Sequence, residues 1–429
     1  MRAVAVGAVM CSASAAPPAA ADEAPGAYGF AEDARTVEAG AGTADAAPLE
    51  PGTPYRSSLP AGGAAYYRLD LGADSSAYVS ATAVPAPDAA VAAVEGIKVT
   101  VRDAEGGLCD SGSTTFGSGR SPHPIAAWAA REAGTRRCRA PGVHYVVVER
   151  VGANAPAPDA WDLELAVTEE PPLASARAGS TPPPDDWDSA TPRPPTDSPR
   201  RRPGGTGFSS AARIGDGVWT ADLRPGQTLF YEVPVDWGRQ LYATAELGGG
   251  GEGSGYVVGA LELAVYNPVR GYVEDVSVGY GGRPRSAAPA PLPPVAHDNR
   301  RSFTGRVSGT RFAGSYYLAV HLAGQVAGTF GQGPFAVTLR VRVTGEAEAG
   351  PEYAGESVPE GVFEAAEDGG PFGTAGSGDD GGTAVRGAAG GDDGVMRMLA
   401  VGGIGGGTVI LAGLGVWTAV ARRKGAVPR

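Results

Sequence analysis

Apolar and polar residues alternate along many short stretches of this chain. In Ile97-Lys98-Val99-Thr100-Val101 and in Val337-Thr338-Leu339-Arg340-Val341 every second side chain is aliphatic. That is the pattern of a strand with one face buried. Pro-Gly and Gly-Gly pairs punctuate such runs about every ten residues. A lone strand cannot bury its apolar face, so several must close over a shared core. The expectation is an all-β fold of antiparallel sandwich type. Ile97, Val99 and Val101 should point inward and Lys98 outward.

The pattern occurs twice. Residues from Tyr55 and from Trp219 align without a gap at an offset of 164. Leu59 meets Leu223, Gly62 meets Gly226, Tyr67 meets Tyr231 and Tyr78 meets Tyr242. Ile97, Val99 and Val101 then meet Leu261, Leu263 and Val265, which leaves Glu262 outward like Lys98. Past a variable insertion, Gly142, Tyr145 and Val148 stand opposite Gly314, Tyr317 and Val320. Trp161, Leu163, Leu165 and Val167 face Phe335, Val337, Leu339 and Val341. A period this long denotes domain duplication and not a solenoid.

Each copy has a Gly-containing turn, a Tyr pair or Phe-Tyr before an alternating strand, a central run and a closing Gly-x-x-Tyr strand. In copy one these are Tyr66-Tyr67, Ile97 to Gly107, and Gly142 with Tyr145-Val146-Val147-Val148. In copy two they are Phe230-Tyr231, Leu261 to Gly271, and Gly314-Ser315-Tyr316-Tyr317. This arrangement resembles the bacterial pre-peptidase C-terminal domain, over about 250 residues. The resemblance implies two tandem jelly-roll-like β-sandwiches of the kind appended to exported proteins. Some members of that family bind calcium or extracellular matrix through acidic loops. Here Gly96 and Ala260 occupy the place where an acidic residue often precedes the central strand, which argues against calcium. The protease domain that usually accompanies the family is absent from this sequence.

Composition divides the rest. Glu169 to Gly207 holds ten prolines and reads as an extended, semi-rigid spacer that leaves the two sandwiches independent. The net charge of −12 is concentrated between Glu346 and Gly394, where twelve acidic residues accompany one Arg. That Gly-rich segment reads as a solvated stalk. The expected sandwiches are therefore residues 48–168 and 208–345, with a disordered segment at 22–47. No basic patch with interleaved aromatics occurs, so nucleic acid is not an expected partner.

Both ends carry membrane signals. Arg2, the apolar run Ala3 to Met10 and Ala19-Ala20-Ala21 make a short secretory signal over residues 1–21. Met10 excludes a lipoprotein reading of Cys11. Residues 398–421 form a charge-free run of 24, followed by Arg422-Arg423-Lys424. As a helix the run spans about 36 Å, enough to cross a bilayer. The basic residues keep the tail at 422–429 cytoplasmic, so everything upstream lies outside. Gly402 with Gly406, and Gly403 with Gly407, give the small-xxx-small spacing that lets two such helices associate.

Candidate chemistry is sparse. Cys109 and Cys138 form an even pair in an exported domain, which favours a disulfide over two free thiols. His123, His144, His297 and His321 are scattered, and His144 and His321 fall in apolar strands as structural residues. There is no Gly-x-Ser-x-Gly and no His-Glu-x-x-His. Gly248, Gly250 and Gly253 satisfy a dinucleotide-binding spacing, but no helix opens after them, so they read as a loop. Asp185-Asp186-Trp187-Asp188 reads as solvated linker rather than a cation site. Trp187 and Trp237 stand as candidate carbohydrate-facing aromatics, whereas Trp219 belongs to the core. No catalytic residue, cofactor or metal site is assigned. The expected function is non-catalytic: a single-pass surface protein binding a cell-envelope component or an exported or membrane protein. The alternatives are an accessory subunit of a membrane complex and an enzyme of unrecognised type.

Overall fold

The computed structural model describes residues 27–135, 137–152, 159–174, 187–250 and 253–365. The signal at 1–21, the run 398–421 with its four glycines and the tail 422–429 lie outside these residues. Among the described residues no helix is long and apolar enough to cross a membrane.

Among the described residues, twenty strands build two copies of one sandwich. The first uses β1 (Arg35–Thr36), β2 (Ala47–Pro48), β3 (Tyr55–Leu59), β4 (Ala64–Leu71) and β5 (Ser76–Val84). It continues with β6 (Gly96–Arg102), β7 (Leu108–Thr115), β8 (Ile125–Arg131), β9 (Gly142–Val151) and β10 (Trp161–Glu170). The second uses β11 (Arg200–Arg201), β12 (Ala212–Arg213), β13 (Gly217–Leu223), β14 (Thr228–Val235) and β15 (Gln240–Leu247). It ends with β16 (Val257–Tyr266), β17 (Tyr272–Tyr280), β18 (Arg285–Ala287), β19 (Gly314–Leu322) and β20 (Phe335–Thr344). Sheet orders are β1-β3-β10-β5-β8 with β2-β4-β9-β6-β7, and β11-β13-β20-β15-β18 with β12-β14-β19-β16-β17. The two copies share one strand order, as the duplication requires.

Register follows the alternation. Leu59, Tyr67, Val99, Leu223, Tyr231 and Leu263 are all buried, while Lys98 and Glu262 lie on the opposite faces. The equivalence extends further upstream than the sequence alignment. β1 and β11 lie parallel to β3 and β13, and β2 and β12 lie parallel to β4 and β14.

Three compositional boundaries shift. The segment expected as disordered carries β1 and β2, and Gly40 pairs with Tyr66. The proline-rich spacer begins inside β10 and contains β11; ahead of β11, Gln240 Nε2 donates to the Asp188 carbonyl and Arg340 to the Pro195 carbonyl. The first part of the stalk also packs: Tyr353 bridges Leu173, Val358 bridges Glu169, and Phe363 stacks on Phe312 at 5.0 Å. In each case strand pairing or side-chain donors from a sandwich hold the segment in place, which an average over Pro, Gly and charge does not register.

The spacer does not separate the sandwiches. The outer face of β1-β3-β10-β5-β8 packs on the outer face of β12-β14-β19-β16-β17, so four sheets form successive layers. Ala126 packs with Phe208, Phe230, Ala264, Tyr266 and Ala319 on one side of this junction. Tyr78 and Ala130 pack with Val269, Phe312 and Phe363 on the other.

Candidate functional site

The junction between the sandwiches concentrates the buried polar chemistry of the described residues. Each apolar patch is bordered by a carboxylate from the first sandwich and a guanidinium from the second. Glu164 on β10 is 1% exposed and lies 3.1 Å from Arg270, in the turn between β16 and β17. It also accepts the Ala31 N–H at 3.0 Å and the hydroxyl of Tyr28. Burial and the neighbouring Glu164 charge hold that hydroxyl protonated, well above its ordinary range.

Glu170, at the end of β10, receives Arg300 in two bonds of 2.7 and 3.2 Å. The hydroxyls of Tyr78 and Tyr353 donate to it at 2.6 and 2.8 Å. Burial alone would raise this carboxyl, but Arg300 and the two phenols outweigh it and hold it below its ordinary value. Arg311 pairs with Glu132 and lies 5.0 Å above the Trp128 ring. A Cβ on Gly271 would lie 2.8 Å from that indole, so the turn bearing Arg270 can approach only with glycine there.

A third group crosses the junction at the start of β8. His123, ahead of β8, stacks on His321 of β19 with ring centroids 4.5 Å apart. His123 Nε2 faces Glu262 at 3.4 Å, and its Nδ1 lies 2.8 Å from the Ser121 carbonyl. His321 Nε2 meets the Ser121 hydroxyl at 2.9 Å, and its Nδ1 meets Thr228 and the Gln227 carbonyl. Burial lowers the His123 pKa, but Glu262 more than reverses it, so the ring titrates above its ordinary value. Burial and the charge of His123 place His321 well below its own.

Ser121 and His321 contain the atoms of a nucleophile and its base. Ser121 is nevertheless buried and accepts the Gly324 N–H at 3.0 Å, and no carboxylate meets His321 Nδ1. The contact ties two sandwiches together and is not built for acyl transfer. Among the described residues no group of three or more His, Cys, Asp or Glu is placed to hold a metal ion.

Cys109 and Cys138 form a disulfide, with Cα atoms 5.5 Å apart, linking β7 to the loop before β9. Trp219 is core, with Arg200 over its ring at 3.9 Å; Trp237 is also buried, against the 346–350 segment. His144 is buried within the first sandwich. Gly250 and Gly253 line a surface depression against α1 (Val326–Phe330) and the following loop, while the Gly248 N–H donates to the Ala336 carbonyl at 2.9 Å. Gly402, Gly403, Gly406 and Gly407 lie outside the described residues.

Sequence reasoning missed the junction, although a signal existed. At outward positions copy two has Phe230, Ala264, Tyr266 and Ala319, where copy one has Tyr66, Thr100, Arg102 and Val147. Copy two thus carries apolar residues on both faces of that sheet, the mark of a sheet covered on both sides. In copy one the equivalent face of β2-β4-β9-β6-β7 carries Tyr66, Arg68, Arg102 and Tyr145, and its two arginines are exposed.

No protein-family model and no curated protein matches the chain. Solved structures show weak similarity. A tandem of two carbohydrate-binding modules, CBM22-1 and CBM22-2, from Paenibacillus barcinonensis Xyn10C is 11% identical. That match covers 67% of this chain and 85% of that one, with a TM-score of 0.18. The CUB1-EGF-CUB2 domains of human MASP-1/3 are 8% identical over 67% and 99%, with a TM-score of 0.16. The ANXUR2 extracellular domain of Arabidopsis thaliana is 8% identical over 69% and 85%, with a TM-score of 0.18. At scores this low none of these proteins bears on the ligand of this chain, and the fold rests on the strand pairings above.

Proposed function

We propose that the chain is a non-catalytic binding or scaffold protein of the bacterial cell surface, anchored by residues 398–421. It presents its two sandwiches as one body and binds a partner protein through the outer face of β2-β4-β9-β6-β7. The observation that carries this reading is the unequal fate of duplicated faces. In the second sandwich the β12-β14-β19-β16-β17 face is covered by a neighbouring sheet. The equivalent face in the first sandwich presents Tyr66, Tyr145, Arg68 and Arg102 outward. Tyr and Arg are the side chains that most often anchor protein interfaces. The opposite outer face, on β11-β13-β20-β15-β18, is contacted by the 187–199 segment through Asp188 and Pro195.

The test is capture of partners from solubilised membranes by the full chain and by a Tyr66→Ala/Tyr145→Ala variant. A protein partner lost from the variant, with unchanged melting, supports the proposal. Equal capture by both chains contradicts it, as does capture of polysaccharide alone. The paired glycine spacing of 402/406 and 403/407 favours a second reading, an accessory subunit of a membrane complex. A stoichiometric membrane partner that survives loss of both tyrosines but is lost on Gly402→Leu/Gly406→Leu substitution favours that reading.

A further inference from the structure

His123 and His321 meet face to face across the junction, one from each sandwich, with 24° between their ring planes. The groups around them supply a place for one positive charge and not for two. From β16, Glu262 faces His123 at 3.4 Å, and Asp275 of β17 adds a second, more distant carboxylate. From the first sandwich come the Ser121 carbonyl and hydroxyl and the edge of the Phe116 ring. From β14 comes the Thr228 hydroxyl, and from the turn before it the Gln227 carbonyl. Glu262 also lies opposite His321 in the β16–β19 register, but its close contact is with the His123 ring. A second proton would put two like charges face to face in a buried site, where Coulomb repulsion is strong.

We propose that this pair is a proton-sensitive latch: the docked sandwiches hold one proton on His123 beside Glu262, and a second proton on His321 separates them. The signs of the two residues are opposite. His321 titrates lower when docked than its ordinary 6.5, so its contribution to docking is present above that value and lost below it. His123 titrates higher when docked, so its contribution is present at and below its ordinary value and fades as the pH rises through the raised one. Docking is therefore strongest near neutral pH and weakens on either side. On the acid side, separation exposes Phe208, Phe230 and Tyr266 together, an apolar surface suited to a partner protein. The latch does not depend on the binding face proposed above.

The readout is the Gly324 amide, whose N–H is bonded to Ser121 across the junction at 3.0 Å. Its hydrogen-exchange protection, corrected for intrinsic rate, reports docking directly. In the full chain, protection should begin to fall below roughly pH 6.5 and approach about tenfold per pH unit below roughly pH 5.5, the limiting slope of one linked proton. Amides of β6, inside the first sandwich and remote from the junction, should hold constant. His321→Gln should flatten the acid slope at Gly324. Ser118→Cys/Ser277→Cys provides an independent arm, since the two hydroxyls lie 3.3 Å apart across the junction. Once oxidised, that crosslink should remove the slope while leaving both histidines in place. A flat profile in the native chain, an unchanged slope in His321→Gln, or a slope that persists in the crosslinked chain overturns the latch.

Discussion

Glu170 of the first sandwich and Arg300 of the second are joined by two hydrogen bonds, at 2.7 and 3.2 Å, with the carboxylate almost wholly buried. The proline-rich run from Glu169 to Gly207 therefore connects domains that grip one another. A buried pair of this kind fixes geometry more than it adds net stability, because both ions leave water. Removing one partner is different, since the other charge is then stranded.

Glu170→Ala is expected to cost about 3–5 kcal/mol in thermal or denaturant unfolding. The pH dependence has a definite sign. The folded carboxyl titrates below its ordinary value of 4.5, so its contribution is full above that value and is lost as the pH falls through the lower one. Glu170→Gln should therefore lose less stability than the native chain between about pH 5 and 3. Equal acid sensitivity of the two would remove Glu170 from the account.

The Cys109–Cys138 disulfide closes a separation of 29 residues. On the chain-entropy model, Cys109→Ala/Cys138→Ala should lower stability by about 3.5 kcal/mol. Mass mapping of an unreduced digest should recover the two cysteines in one crosslinked peptide. Recovery of both as alkylated thiols without prior reduction would contradict the bond.

Arg270 meets Glu164 at 3.1 Å from a turn whose φ is +58°. Asn and Gly adopt that backbone more readily than Arg, so the side chain is retained there against its local preference. Arg270→Gly relieves the turn but strands Glu164, and a net loss of about 2 kcal/mol or more is expected. Gain of stability on this substitution would show that the pair contributes nothing to docking.

Much of the fold was legible because it depends on alternation, which sequence displays directly. Val99 and Leu263 were placed inward and Lys98 and Glu262 outward, and the strands follow that register. The junction was not legible in the same way. An outward strand position reads as solvent-facing, so neither Glu262 nor Glu164, which alternates with Leu163 and Leu165, carries a sequence signal of burial. Their partners Arg270 and His123 come from turns and loops of the other sandwich. Segments such as 27–34 and 353–363 were hidden for a further reason: Tyr28, Tyr353 and Phe363 are isolated anchors in polar, Gly-rich surroundings, and periodicity cannot find them.

Anchoring has its own check. Protease shaving of intact cells should release a soluble fragment containing both sandwiches, with the Arg422-Arg423-Lys424 tail retained in the cell. Protection of residues upstream of Met398 would contradict the orientation.

Calorimetry of the native chain and of Leu263→Asp tests the docked body most directly. Leu263 is fully buried in the second sandwich, and an unpaired charge there should cost several kcal/mol. One cooperative transition is expected in the native chain, with calorimetric and van't Hoff enthalpies equal, and a lowered midpoint for the first sandwich in Leu263→Asp. Two resolved native transitions, with the first sandwich melting unchanged in Leu263→Asp, would show instead that the domains are independent.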